Sequence, residues 1–159
     1  MGRPITSQTP RKMSKLYDLR ADLAASIIDA NIGFTAKNII LKRQTDLWND
    51  VATTLAIDDL GIVLHIGIAE GEASEPDSLE VDLTIPLTIL CLPQVVEGSA
   101  PEEDVWQALV QHVHDLSLSD SEPYSGRFKF KSFSDIEIQA DAGTGYLGRQ
   151  TVFSKHLSL

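Results

Sequence analysis

Three glycines near the end of the chain, Gly143, Gly145 and Gly148 in "AGTGYLGRQ" (Ala142 to Gln150), stand in the G-x-G-x-x-G spacing that cradles a dinucleotide pyrophosphate. That chemistry needs a strand before the glycines, a helix opening on the third, and an acidic residue about 20 positions later for the ribose. Only eleven residues follow Gly148, and none after Asp141 is acidic. The glycines are therefore expected to supply the positive φ angles of a turn between two antiparallel strands, and no cofactor is expected.

His112 and His114 invite a metal reading, because H-x-H on a strand puts both rings on one face. Their surroundings read as helix, where positions i and i+2 diverge by about 200° around the axis, so they do not converge on one ion. His112 is expected at the boundary of an apolar stripe and His114 in solvent. His65 lies opposite the apolar face of a strand, His156 lies near the terminus, and no metal site is expected. The adjacent pairs Asp58-Asp59 and Glu102-Glu103 diverge as neighbours do, and read as a turn and a helix N-terminus. No serine sits in a G-x-S-x-G elbow. Cys91, in "LTILCLP", has no adjacent charge to activate it and reads as a buried, reduced thiol, which points to a reducing compartment. No catalytic residue is singled out.

The 159 residues allow one core, and 43% hydrophobic residues with a mean hydropathy of -0.03 are ordinary for a soluble globular protein. No run approaches the ~20 apolar residues of a membrane span. The net charge of -10 and a pI near 4.7 argue against nonspecific nucleic-acid binding, which Lys and Arg supply by neutralising phosphates. Charge is concentrated from Glu70 to Asp82, where Glu70, Glu72, Glu75, Asp77, Glu80 and Asp82 occur with no Lys or Arg between them. This reads either as a solvated loop or as a surface for a basic partner. Residues 1–12, "MGRPITSQTPRK", are basic and polar with two prolines and no apolar core, so they are not a secretory signal. They read as a flexible arm or an artificial extension, with a single α+β domain over 13–159.

From Ser14 to Ala30, Leu16, Leu19, Leu23, Ile27 and Ala30 recur at helical spacing, with Lys15, Asp18, Arg20, Asp22 and Asp29 on other faces and Asn31-Ile-Gly33 as the stop. "NIILK" (Asn38 to Lys42) reads as a short strand, and Asp46 to Ile57 as a short helix. Two strands follow: Ile62, Leu64, Ile66 and Ile68 alternate in the first, and Leu79, Val81, Leu83, Ile85, Leu87 and Ile89 in the second. The turn formers of "GEASEPDS" join them as an antiparallel hairpin with an acidic tip, and Pro86 predicts an edge position or a bulge. Ser99-Ala-Pro-Glu102 is a capping-box pattern opening a helix with the stripe Val105, Trp106, Leu109, Val110, Val113 and Leu116. From Arg127 to Asp141 one alternation puts Phe128, Phe130, Ser132, Ser134, Ile136, Ile138 and Ala140 on one side, as one bent strand or two. Leu147 to Leu159 reads as a final strand. Together these elements predict an α+β fold: an antiparallel sheet of about four to five strands, with two main helices on one face.

In layout, size and acidity, the leading helix, the hairpin "GIVLHIGIAEGEASEPDSLEVDLTIPLTILCLP", the helix "SAPEEDVWQALVQHVHDL" and the closing pair "FSDIEIQADAGTGYLGRQTVFSKHLSL" resemble bacteriophage tail terminator (tail completion) proteins. The resemblance spans nearly all of Met13 to Leu159. It implies a structural protein without enzymatic activity that forms a ring, usually a hexamer, on the tail tube, ends tube polymerisation and offers a docking surface to the head. Its implied partners are copies of itself, the tail tube protein and a head-tail connector protein, with DNA passing through unbound and no membrane. Its implied location is the virion tail, assembled in the bacterial cytoplasm. Within that frame Glu70, Glu72, Glu75 and Asp77 are the candidate subunit or channel contacts, and the basic arm is a further contact. A head-tail connector component, or a small soluble binding module or enzyme with a pocket assembled by folding, are the alternatives.

Overall fold

A computed structural model describes residues 15–41, 61–91, 101–118, 126–139 and 145–158. The expected helix at Asp46 to Ile57, the Asp58-Asp59 pair, Gly143 and residues 1–12 lie outside them. The elements are α1 (Lys15–Asp29), β1 (Ile39–Ile40), β2 (Ile62–Ile66), β3 (Glu70–Ala73), β4 (Glu80–Cys91), α2 (Pro101–Val113), β5 (Lys129–Gln139) and β6 (Gly145–Ser158). The fold is α+β. Among the described residues its sheet has six strands in the order β1-β2-β4-β6-β5, with β3 also paired to β4. This exceeds the expected four to five strands, and the sheet is mixed, because β1 runs parallel to β2 while every other pairing is antiparallel.

One extra strand comes from a break in the hairpin. Ile66 pairs with Leu87 and Glu70 with Thr84, so three residues on one side face two on the other. Pro86 stands at this break. Its carbonyl accepts from the Gly67 N–H (2.8 Å), so the donor that proline lacks would also face the interruption. Gly67 is required by close approach: a Cβ there would lie 2.7 Å from the Pro86 ring. Pro86 is thus at a bulge in an interior strand. The break also ends the alternation expected through Ile68, which is 42% exposed while Ala69 is buried, and Leu79 is 70% exposed in the turn rather than facing the core.

Helices α1 and α2 pack on one face of the sheet, where Leu19, Leu23 and Ile27 of α1 and Leu109 and Val113 of α2 meet Leu64, Ile66, Leu83, Ile85, Leu87, Phe153 and Leu157. Asn31, with φ 54°, and Gly33, with φ 112°, turn the chain out of α1. Arg20, expected on a polar face, is buried: its guanidinium donates to the carbonyls of Leu41 and Ile66 and ties α1 to the ends of β1 and β2. In β5 a bulge between Phe130 and Ser132 breaks the single phase expected from Arg127 to Asp141. Phe128 is buried and Phe130 packs on the core, whereas beyond the bulge Phe133 and Asp135 take over that face and Ser132 and Ser134 turn to the other, all four being exposed. Among the described residues no helix is long and apolar enough to cross a membrane.

Candidate functional site

The acidic hairpin is β3, β4 and the turn between them. Its turn is closed by its own backbone: Ser78 N–H donates to Glu75 C=O (3.2 Å) and Ser74 N–H to Glu80 C=O (2.9 Å), with Asp77 at φ 64°. Glu70, Glu72, Glu75 and Asp77, the candidate contacts, are all exposed. Glu72 stands directly opposite Asp82, and Asp82 opposite His156, so these three share the sheet face turned away from the helices. Like charges facing each other across strands disfavour the pairing. His156 offsets that repulsion. Its Nδ1 shares a hydrogen bond with Asp82 (3.1 Å), and its Nε2 one with Glu80. The bonds to Asp82 and then Glu80 raise the imidazole pKa above its usual value, and the bonds from His156 and Ser74 lower that of Asp82.

A second charge cluster lies on the helix face, toward the other end of β6. Arg149 donates to Asp135 through Nε (2.6 Å) and Nη2 (3.2 Å), and to Glu103 of α2 through Nη1 (2.7 Å). Its guanidinium carbon is 4.5 Å from the centre of the Trp106 ring and 5.0 Å from that of Phe133, and the two rings are themselves 5.0 Å apart. The Trp106 indole N–H donates to the hydroxyl of fully buried Thr151 (2.8 Å). Asp135 raises the Arg149 pKa further, and Arg149 lowers that of Asp135. The result is a fastening of α2 to β5 and β6. Glu103, read as part of a helix N-terminus, has this additional role.

The other sequence candidates are dispersed. Gly145 and Gly148 lie within β6, opposite Gln139 and Ile136, rather than in a turn. Gly148 is needed for space, since a Cβ would lie 2.9 Å from both Ile136 and Leu90; no helix opens on it, so a pyrophosphate seat is not formed. His112 shares a 3.0 Å hydrogen bond with Ser26 of α1, and both line a shallow, open groove of about 550 Å³ with Asp22, Asp29 and Ser117. His114 is exposed, and its Nδ1 accepts from Phe130 N–H (3.1 Å). His65 is partly buried in β2, and Cys91 is half-buried at the end of β4 rather than fully buried. Among the described residues no three His, Cys, Asp or Glu side chains converge to hold a metal ion.

Sequence reasoning missed the Arg149 cluster, the His156 bridge and buried Lys155, whose ammonium donates to Gly126 C=O and lies 5.3 Å from the Phe128 ring centre. A signal was present. Arg149, Thr151, Phe153, Lys155 and Leu157 share one phase of β6, so two cations fall on the face that carries its apolar side chains. No protein-family model and no curated protein matches the chain.

Proposed function

We propose that this chain is a structural assembly subunit of the tail-terminator kind, which forms a ring on a tail tube, ends its polymerisation and offers a docking surface to the head. The observation that carries the reading is the hairpin. Six carboxylates lie between positions 70 and 82 without a basic residue, and all four residues of β3 are exposed at a sheet edge. An acidic, self-closed projection of this kind suits a subunit or channel contact past which DNA slides without sticking. The α+β layout, with α1 and α2 on one face, leaves the exposed hairpin for contacts between subunits.

The test is electron microscopy of tail-tube polymerisation with and without the protein. Tubes of limited length capped by a ring support the reading, and tubes of unrestricted length in its presence overturn it. The groove holding Ser26, His112, Asp22 and Asp29 favours a second reading, a small binding module. That reading requires a ligand whose binding is lost in Ser26→Ala and His112→Ala while tube length is unaffected by the protein.

A further inference from the structure

No described strand pairs with the outer edge of β3, and all four of its residues are exposed. Because Ser74 N–H donates to Glu80 C=O, the antiparallel alternation turns the N–H and C=O of Gly71 and Ala73 toward that edge. Such an edge is a template for an added strand. Glu70 and Glu72 share the face turned away from the helices, and Glu75 and Asp77 follow in the exposed turn. The strand that suits this edge therefore carries cations on that face.

The chain holds such a segment. Residues 1–12 include Arg3, Arg11 and Lys12 and no Asp or Glu, and between Pro4 and Pro10 the run Ile5 to Thr9 is rich in β-branched side chains. Its point of departure is set by α1. Arg20 ties that helix to the carbonyls of Leu41 and Ile66, where β1 and β2 end, and six residues later Ser26 meets His112 of α2. α1 thus runs from the β1 and β2 side of the sheet toward α2, and Lys15 opens it on the side where β3 follows β2. The 14 residues before Lys15 reach up to ~46 Å when extended, ample for a four-residue strand on an adjacent copy.

Phase and proline positions select a register. With Ser7 opposite Glu72 in an antiparallel pairing, Thr6 meets Ala73 and Gln8 meets Gly71, the two residues whose backbone groups face outward. Pro4 and Pro10, next in that phase, lack donors, so the ladder ends after the two pairs that β3 offers. Arg3 and Arg11 share the phase of Ser7 and fall on the carboxylate face, Arg3 toward Glu75 and Asp77 and Arg11 toward Glu70. β3 is exposed throughout within one chain, which leaves its edge to the basic segment of another. We infer that residues 3–11 of one copy add as an antiparallel strand to the β3 edge of the next. The contact is heterologous, and closes a ring when the rotation between copies allows it. The inference rests on the ring-forming reading and names what joins its copies.

Sedimentation of the full chain at rising concentration in low salt tests it, beside the chain shortened to residues 13–159. The full chain is expected to self-associate, and the shortened one to stay monomeric with an unchanged thermal melt by circular dichroism. Arg3→Glu with Arg11→Glu weakens association roughly tenfold to a hundredfold, and adding Glu70→Lys with Glu72→Lys to the same chain restores it. Oxidation distinguishes contact between copies from contact within one: with Cys91→Ser throughout, a Ser7→Cys chain mixed with a Glu72→Cys chain forms a disulfide between the two. A full chain that is monomeric at every concentration overturns the interface, as does a charge exchange that fails to restore association. A disulfide that closes only when both cysteines share one chain overturns it too. Rings that form without residues 1–12 overturn the interface and leave the ring reading standing, which tube-length control judges separately.

Discussion

Two cations of the same strand, Arg149 and His156, are each flanked by two carboxylates, yet they sit in opposite physical regimes. Arg149 faces the helices, its side chain is 22% exposed, and two aromatic rings shield it; His156 faces solvent on the other side of the sheet and is 43% exposed. Guanidinium holds its charge at every accessible pH and matches a carboxylate with a planar fork, whereas imidazole loses its charge near neutrality and reaches each carboxylate through one nitrogen. The first arrangement suits a permanent fastening of α2 to the sheet. The second is a weak, solvent-screened bridge beside the turn of the hairpin whose strength follows pH and salt.

The largest expected contrast comes from the aromatic side of the Arg149 cluster. Trp106→Ala removes the ring beneath the guanidinium, its contact with Phe133 and the donor to buried Thr151, and is expected to cost about 3 kcal/mol in urea unfolding. His156→Ala removes only an exposed bridge. If the two variants unfold at the same urea concentration, the cluster on the helix face is no tighter than the one in solvent, and the distinction fails.

Next in size is the cation itself. Arg149→Gln leaves Glu103 and Asp135 facing each other without a counter-charge, and is expected to cost roughly 1–2 kcal/mol, discounted because both carboxylates are partly solvated. Arg149→Lys keeps the charge but loses the two-pronged contact with Asp135 and the stacking on Trp106, so about half of that cost should remain. Added salt is expected to erase the effect of His156→Ala while leaving most of the Arg149→Lys effect, which is geometric. Full recovery of Arg149→Lys in high salt would mean that the rings contribute little.

The same contrast shows what the sequence could and could not reveal. The helices, the long hairpin and the closing strand were legible because their apolar residues repeat with the period of the element. Leu19, Leu23 and Ile27 bury one face of α1, and Leu83, Ile85, Leu87 and Ile89 one face of β4. Single-residue irregularities were not legible, because a bulge reverses the phase without changing composition: Phe133 and Asp135 exchanged faces with Ser132 and Ser134, and Ile68 came to the surface. Gly148 was misread for a related reason. A glycine that makes space for Leu90 and Ile136 looks the same in sequence as one that makes a turn. The acidic tip was visible as composition. The two bracketed cations required knowing that β6 lies between β4 and β5, since Asp82 and Asp135 reach β6 only through register.

The smallest expected effect separates the two clusters by sign as well as size. The folded pKa of His156 is raised by its bonds to Asp82 and Glu80, so its contribution to stability is complete below the unfolded histidine value of about 6.5 and is lost as pH rises through the folded value. Asp82 and Asp135 are lowered, so their contributions are present above the unfolded carboxylate value and vanish only as acid protonates them. The stability difference between wild type and His156→Ala should therefore fade as pH rises from the unfolded histidine value through the raised folded one, while the difference between wild type and Arg149→Gln stays level over the same range. Proton NMR titration of the His156 ring gives the direct readout: its midpoint lies above that of an ordinary histidine, and drops in Asp82→Asn more than in Glu80→Gln because the bond to Asp82 is the larger cause. A midpoint unchanged by both substitutions would remove His156 as the bridge beside the hairpin turn, leaving Asp82 with its bond to Ser74 and the nearby Lys131.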